Sequence, residues 1–236
     1  MLEVRNLSFA YSRQKILRDV SFVASPGEVV TIVGANGAGK TTLLRILATL
    51  QMPDSGTVMM DGTDALARPL RYRHQLGYLP ERVALYDDMT VKEYLRYRAL
   101  LKGEPAKRVR RRVSESVDLC QIGDILRSPI AALSAGQRKR VAIADAMILR
   151  PRVLLLDDFL AGLDGSMRET TGAILSSAVA FSSVIVTGHE LEDLAKWTTR
   201  FLVLNDGVVA ASVETAGLDL PVLRERLKIA MEGGGR

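Results

Sequence analysis

The chain has 236 residues, 47% of them hydrophobic and 25% charged, with a formal net charge of +5, a composition that fits one globular domain with a sizeable core and room for an inserted subdomain. No basic-then-apolar stretch opens it, so a secretory leader is not expected, and its most apolar-looking window, AILSSAVAFSSVIVTG, is interrupted by four serines and falls short of the roughly 20 apolar residues of a spanning helix. The single cysteine, Cys120 in SVDLCQIG, excludes an internal disulfide, fits a reducing cytoplasm, and reads as a small buried hydrophobe.

Three strand-like pieces come first, LEVRNLSFAY, ILRDVSFVA and EVVTIVG, separated by turn signals such as SPGE. The third is rich in β-branched residues and ends in glycine, as a buried parallel strand does. KTTLLRILATL follows, with Leu43, Leu44, Leu47 and Leu50 at helical spacing. PDSG makes a turn, and TVMMDG reads as a hairpin strand. From about Thr90 to Leu149 the pattern becomes helical, TVKEYLRYRALLKG, PAKRVRRRVSESVDLC and SAGQRKRVAIADAMIL, with Thr90 and Ser134 as N-caps. RVLLLD, SSVIVTG and RFLVLND restore the strand pattern, the first two followed by helical stretches. This alternation predicts an α/β fold with a mostly parallel sheet. The terminal GGGR reads as a frayed tail.

Positive charge is concentrated in KRVRRR (107–112), RYR (71–73) and RKR (138–140). Such runs suit nucleic acid, anionic lipid or an acidic partner, and a solvated helix face is their default reading. No zinc spacing, RNA-binding aromatic pattern or heptad accompanies them, so nucleic acid is not expected.

GANGAGKT, Gly34 to Thr41, fits G-x-x-x-x-G-K-S/T between a buried strand and a helix. Gly34, Gly37 and Gly39 let the backbone curl so that its N–H groups, with the positive end of the next helix, cradle phosphate oxygens. Lys40 is placed to reach the β- and γ-phosphates and Thr41 to ligate Mg²⁺. Downstream, the aliphatic run VLLL ends in Asp157 and Asp158. Asp157 is read as the carboxylate that holds Mg²⁺, usually through water, and Asp158 as the one that orients and polarises the attacking water. LSAGQ, Leu133 to Gln137, taken alone is only a good N-cap and an anion-tolerant helix start.

In this order and at these separations, GANGAGKTT, LSAGQRKRVAIADAMILRPRVLLLDD, AGLD and TGHE resemble the nucleotide-binding domain of the ABC ATPases over nearly the whole chain. The resemblance implies a P-loop NTPase core, an antiparallel β subdomain at the start, a helical subdomain at about 82–149, and a C-terminal helix and tail at about 214–236. It also implies two domains, as homodimer or heterodimer, arranged head to tail with ATP and Mg²⁺ between them. In that arrangement Gly34, Asn36, Gly37, Ala38, Gly39, Lys40, Thr41 and Thr42 of one domain hold the phosphates. Ser134, Gly136 and Gln137 of the other close the γ-phosphate site. Tyr11 matches an adenine-stacking aromatic, His189 a γ-phosphate contact, and Asp164 an acid linking the two sites. His74 matches nothing and reads as surface.

Two positions depart from the family pattern. Glu81 stands where glutamine is usual; either side chain offers Mg²⁺ an oxygen, and glutamate there resembles a branch with separately encoded ABC-2-type export permeases. Asp158 stands where glutamate is usual. It is one methylene, about 1.5 Å, shorter, and misplacement by about 1 Å can cost on the order of 10²-fold in rate, so slow hydrolysis is expected. Asp145 replaces a common arginine, and nothing in the sequence explains it.

The expectation is an ATPase subunit that drives separately encoded transmembrane permease subunits, peripheral on the inner face of the cell membrane, with export as the direction. Asp158 also suits a hydrolysis-poor partner in a heterodimer. KRVRRR alone favours a soluble ATPase acting on nucleic acid or ribosomes, and the coiled coils, zinc modules or doubled domains of such proteins are missing from this sequence.

Overall fold

The computed structural model describes residues 1–232, so the GGGR tail lies outside the described residues. In chain order the elements are β1 (Leu2–Tyr11), β2 (Gln14–Ala24), β3 (Val29–Val33), α1 (Lys40–Leu47), β4 (Ser55–Met60), β5 (Thr63–Asp64), α2 (Pro69–Arg73) and β6 (Leu76–Leu79). Three helices follow, α3 (Val91–Leu101), α4 (Ala106–Leu119) and α5 (Ala135–Met147). The chain then runs through β7 (Val153–Leu156), α6 (Gly165–Val179), β8 (Ser183–Thr187), α7 (Leu191–Ala195), β9 (Arg200–Asn205), β10 (Val208–Glu214) and α8 (Leu220–Glu232).

Two sheets form. The larger has the order β10-β9-β3-β8-β7-β6, parallel throughout except for antiparallel β10 at one edge. The smaller, β2-β1-β4-β5, is antiparallel. The central strands VVTIV, VLLL and SVIVT are buried at every position, because both faces of the larger sheet are covered. Their alternation divides the interior. Val29, Val33, Leu154, Leu156, Val184 and Val186 point into a core shared with α3–α6. Val30, Ile32, Val153, Leu155 and Ile185 point into a second core with α1 and the antiparallel sheet. The apolar window around AILSSAVAFSSVIVTG splits between the end of α6 and β8, and among the described residues no helix is long and apolar enough to cross a membrane.

Local chemistry sets the helix starts. At α3 the Glu93 N–H donates to Thr90 Oγ1 (3.3 Å) and the Thr90 N–H to Glu93 Oε2 (2.9 Å). Ser134 and Gln137 repeat this reciprocal pairing at α5, so both ends satisfy otherwise orphaned donors. The helix after the phosphate loop is shorter than its leucine spacing predicts. Thr49 takes a left-handed φ of 56°, and the N–H groups of Thr49 and Leu50 bond back to the carbonyls of Ile46 and Arg45, a paired closure that ends a helix. Leu50 is therefore exposed and not part of the buried stripe. The α2 turn and the edge strand β10 have no counterpart in the sequence reading.

Asp145 now has an explanation. On α5 its carboxylate accepts from Arg98 Nε at 3.1 Å to each oxygen and pairs with Lys102 Nζ at 2.8 Å, both from α3. Lys102 also donates to the Asp145 carbonyl. Two helices are thus tied by one nearly buried carboxylate, whose charge opposes the downward push of burial on the Lys102 ammonium. Cys120 is fully buried, and desolvation raises its thiol to about 12, in keeping with a packing role.

Candidate functional site

The loop between β3 and α1 closes on itself. A Cβ on Gly34 would lie 2.1 Å from the Leu204 carbonyl oxygen, so only glycine lets the loop pass over β9. Gly34→Ala is expected to cost about 1–3 kcal/mol of stability, read as a fall in denaturant midpoint at unchanged slope; an unshifted midpoint would mean that β9 yields. Gly39 has φ 103° and leads straight into α1, a conformation that disfavours any side chain. Lys40 is nearly buried and donates to the carbonyls of Gly34 (2.8 Å) and Ala35 (3.0 Å). Desolvation lowers its ammonium, against the pull of Asp158 and Asp157.

Asp157 directly follows β7 and is 2% exposed. Its Oδ1 accepts from Thr187 Oγ1 (2.7 Å) and Thr41 Oγ1 (3.3 Å), whereas its buried Oδ2 has no partner. An orphaned buried carboxylate oxygen is costly, and beside a threonine hydroxyl it is suited to a hard cation. Asp158 adopts a left-handed φ of 45°, uncommon outside glycine. Two contacts hold it there: its N–H donates to Thr187 Oγ1 (2.9 Å), and its carbonyl accepts from Lys139 Nζ (3.1 Å). Burial raises the Asp158 carboxyl, with Glu190 adding to the rise and His189 and Lys139 opposing it.

The phosphate loop, including Asn36 and Thr42, lines one cleft of about 330 Å³ together with Glu81, both aspartates and His189. The other residues singled out from sequence lie elsewhere. Ser134, Gly136 and Gln137 form the exposed start of α5, with the Met167 side chain against Gly136. Asp164 caps α6 by accepting from the Met167 N–H at 2.9 Å. Tyr11 is exposed at the β1–β2 turn, its ring edge-on to Phe9. Gly34 and Ala38 support the loop from beneath without lining the cleft. A larger groove of about 670 Å³ runs between the Glu81 loop and the helices, bounded by Tyr86, Tyr94 and Arg98. Thr41, Glu81 and Asp157 line both spaces.

Two residues escaped the sequence reading. Thr187, inside the quoted TGHE, holds both aspartates through one hydroxyl. Lys139 was counted in the basic run RKR, yet it is 7% exposed and reaches the Asp158 carbonyl. Its signal was helical spacing, since Ala142, Ile143 and Ala146 on the same face are buried. The rest of RKR, and Arg73 of RYR, are also engaged within the fold. Arg138 pairs with Asp87, Arg140 donates to the Gln121 carbonyl, and Arg73 donates to the Thr49 side chain and carbonyl.

The family described as "ABC transporter" matches residues 17–161. The sulfate/thiosulfate import ATP-binding protein of Bradyrhizobium diazoefficiens is 38% identical over 87% of this chain and 61% of its own length. The spermidine/putrescine import ATP-binding protein of Marinobacter nauticus is 34% identical over 89% of this chain and 56% of its own length. The chain thus spans about three fifths of these curated relatives. A solved structure of an ATP-binding subunit of an ABC transporter superposes with a TM-score of 0.85 at 29% identity, covering 97% of this chain and 99% of that one.

Proposed function

The chain belongs to the ABC transporter family, and from that premise we propose that it is an ATP-binding subunit coupling MgATP binding, dimer closure and hydrolysis to transport by separate transmembrane permease subunits, which hold it at the inner face of the membrane. One observation supports this reading: the cleft gathers a phosphate loop, Thr41, an orphaned Asp157 oxygen and Asp158, while the Ser134 helix start is not part of its lining. A single copy therefore offers half of a triphosphate site and, elsewhere on its surface, the donors for another half.

The oxygens of Thr41 and Asp157 suit Mg²⁺, with Glu81 on the same wall. Among the described residues no group of three or more His, Cys, Asp or Glu is poised to cage a metal, and a cation that takes its remaining ligands from phosphate and water needs none. Thr41 and Asp157 would hold the ion, and it would supply positive charge to offset the negative charge developing on the phosphates. Lys40 and the α1 N-terminus bind the phosphates. Asp158 orients the attacking water and receives its proton, and His189 contacts the γ-phosphate. Exposed Tyr11 stacks on adenine. The partner's Ser134, Gly136 and Gln137 close the γ-phosphate, and Asp164 links the two sites. The larger groove beside Glu81 receives the permease.

Direction of transport has thinner support. Glu81 is the only residue behind export, whereas the relatives named above are import proteins by name. The second reading, a hydrolysis-poor member of a heterodimer, is favoured by Asp158 itself.

The shared site is testable by sedimentation. Asp158→Asn with MgATP is expected to dimerise, and adding Gly136→Asp should abolish the dimer while each monomer still binds ATP. An acid in the first turn favours the helix itself, while its Cβ meets Met167 Cε at 2.9 Å, so an unchanged circular-dichroism melt is what assigns lost association to repulsion of phosphate and not to unfolding. A trapped variant that stays monomeric at saturating MgATP would refute the head-to-tail site.

A further inference from the structure

RKR is taken up by internal contacts and RYR only through Arg73, whereas KRVRRR leaves Lys107, Arg108 and Arg110 without an ion pair among the described residues. Residues 91–119, covering α3 and α4, contain nine lysines and arginines against four carboxylates. That excess equals the formal net charge of the whole chain, +5. Some of these cations are paired internally: Arg98 and Lys102 hold Asp145, and Arg111 and Arg112 meet Glu104 or Glu115. Lys92, Arg96, Lys107, Arg108 and Arg110 are exposed and make no ion pair among the described residues.

Lys92 and Arg96 of α3 and Arg110 of α4 edge a shallow groove of about 660 Å³, with Asp118 also lining it. Its floor is Val109, Val113 and Val117, only 5, 6 and 6% exposed. A docking helix would gain almost no apolar contact from such a floor, which argues against an acidic amphipathic peptide. The free apolar surface nearest the cations is Leu100, 51% exposed and one turn along α3 from Arg96; Leu101, 58% exposed, extends it a further ~100° round the helix, beside Tyr97. A nucleic-acid backbone would satisfy the cations but offer nothing to the leucines. Phosphate headgroups over an acyl boundary satisfy both.

We infer that the outer face of α3 and α4 is a contact surface for an anionic lipid bilayer, with Lys92, Arg96 and Arg110 meeting headgroup phosphates and Leu100 and Leu101 entering the interface. The surface lies outside the nucleotide cleft and requires neither ATP nor a permease, so it stands or falls separately from the transport reading.

The test is cosedimentation of the full chain with phosphatidylcholine vesicles, with and without phosphatidylglycerol. Binding is expected only with the anionic lipid, and to weaken as salt screens the charges. Each cation contributes about fivefold, so the combined Lys92→Gln, Arg96→Gln, Arg110→Gln variant should bind on the order of 10²-fold more weakly. Leu100→Ser with Leu101→Ser should weaken binding at unchanged charge. All five side chains are exposed, and a circular-dichroism melt verifies that the variants fold. Absence of vesicle binding overturns the proposal. So does an equal loss in a control carrying Arg13→Gln, Lys15→Gln and Arg18→Gln, which would reduce the effect to net charge. Binding to a DNA duplex or polyglutamate in preference to the vesicles overturns it as well.

Discussion

Asp158→Asn is expected to lower steady-state phosphate release from MgATP about 10²–10³-fold, within the range for loss of a positioned general base, with ATP binding retained. Asp158→Glu is expected to do the reverse and raise turnover above wild type, by up to about 10²-fold. The second expectation depends on whether the backbone can advance to compensate for a side chain one methylene short. It is held on both sides: the N–H of Asp158 is fixed by Thr187 and its carbonyl by Lys139, at a φ of 45° that leaves little slack. Thr187 is itself bonded to Asp157, so sliding the loop forward would disturb the carboxylate proposed to hold Mg²⁺. A glutamate variant no faster than wild type would show that reach is not what limits the rate, and would refute the expectation that Asp158 makes hydrolysis slow.

Asp145→Ala is expected to destabilise the fold by about 3–5 kcal/mol, the cost of removing one partner from a buried ionic group. The Asp145 side chain is 10% exposed, and those of Arg98 and Lys102 are 27 and 24% exposed. The two cations left behind would face each other between α3 and α5 with no carboxylate. Asp145→Arg, the residue common in the family the sequence resembles, should be worse, because it sets three cations together. Urea melts measure both. A loss under about 1 kcal/mol would place this cluster among exposed pairs that contribute little. Removing all three charges with apolar residues should recover much of the loss.

What the sequence made readable, and what it hid, follows from the range of the interactions. The phosphate loop could be read because its requirements are local: glycines where the backbone turns tightly, lysine and threonine at the first helical positions. The β3, β7 and β8 strands could be read because burial on both faces leaves an unbroken aliphatic run. Leu50 misled because one left-handed residue, Thr49, ends the helix before the leucine pattern does. Lys139, Thr187 and Asp145 stayed hidden for a different reason. Each acts through a partner from 19 to 47 residues away, and a run such as RKR looks the same whether its middle residue faces water or a carbonyl. The edge strand β10 alternates exposed and half-buried positions with none buried, a pattern too faint to separate from a loop.

Thr41, Glu81 and Asp157 are lining common to the larger chamber and the smaller one. Whatever wedges into the larger chamber and displaces that shared lining also reshapes the smaller one, with no relay of intervening residues. Thermodynamic reciprocity then applies: if a guest in one chamber strengthens binding in the other by some factor, the second guest must strengthen the first by that same factor. Fuel and load would be accounted for through those shared side chains.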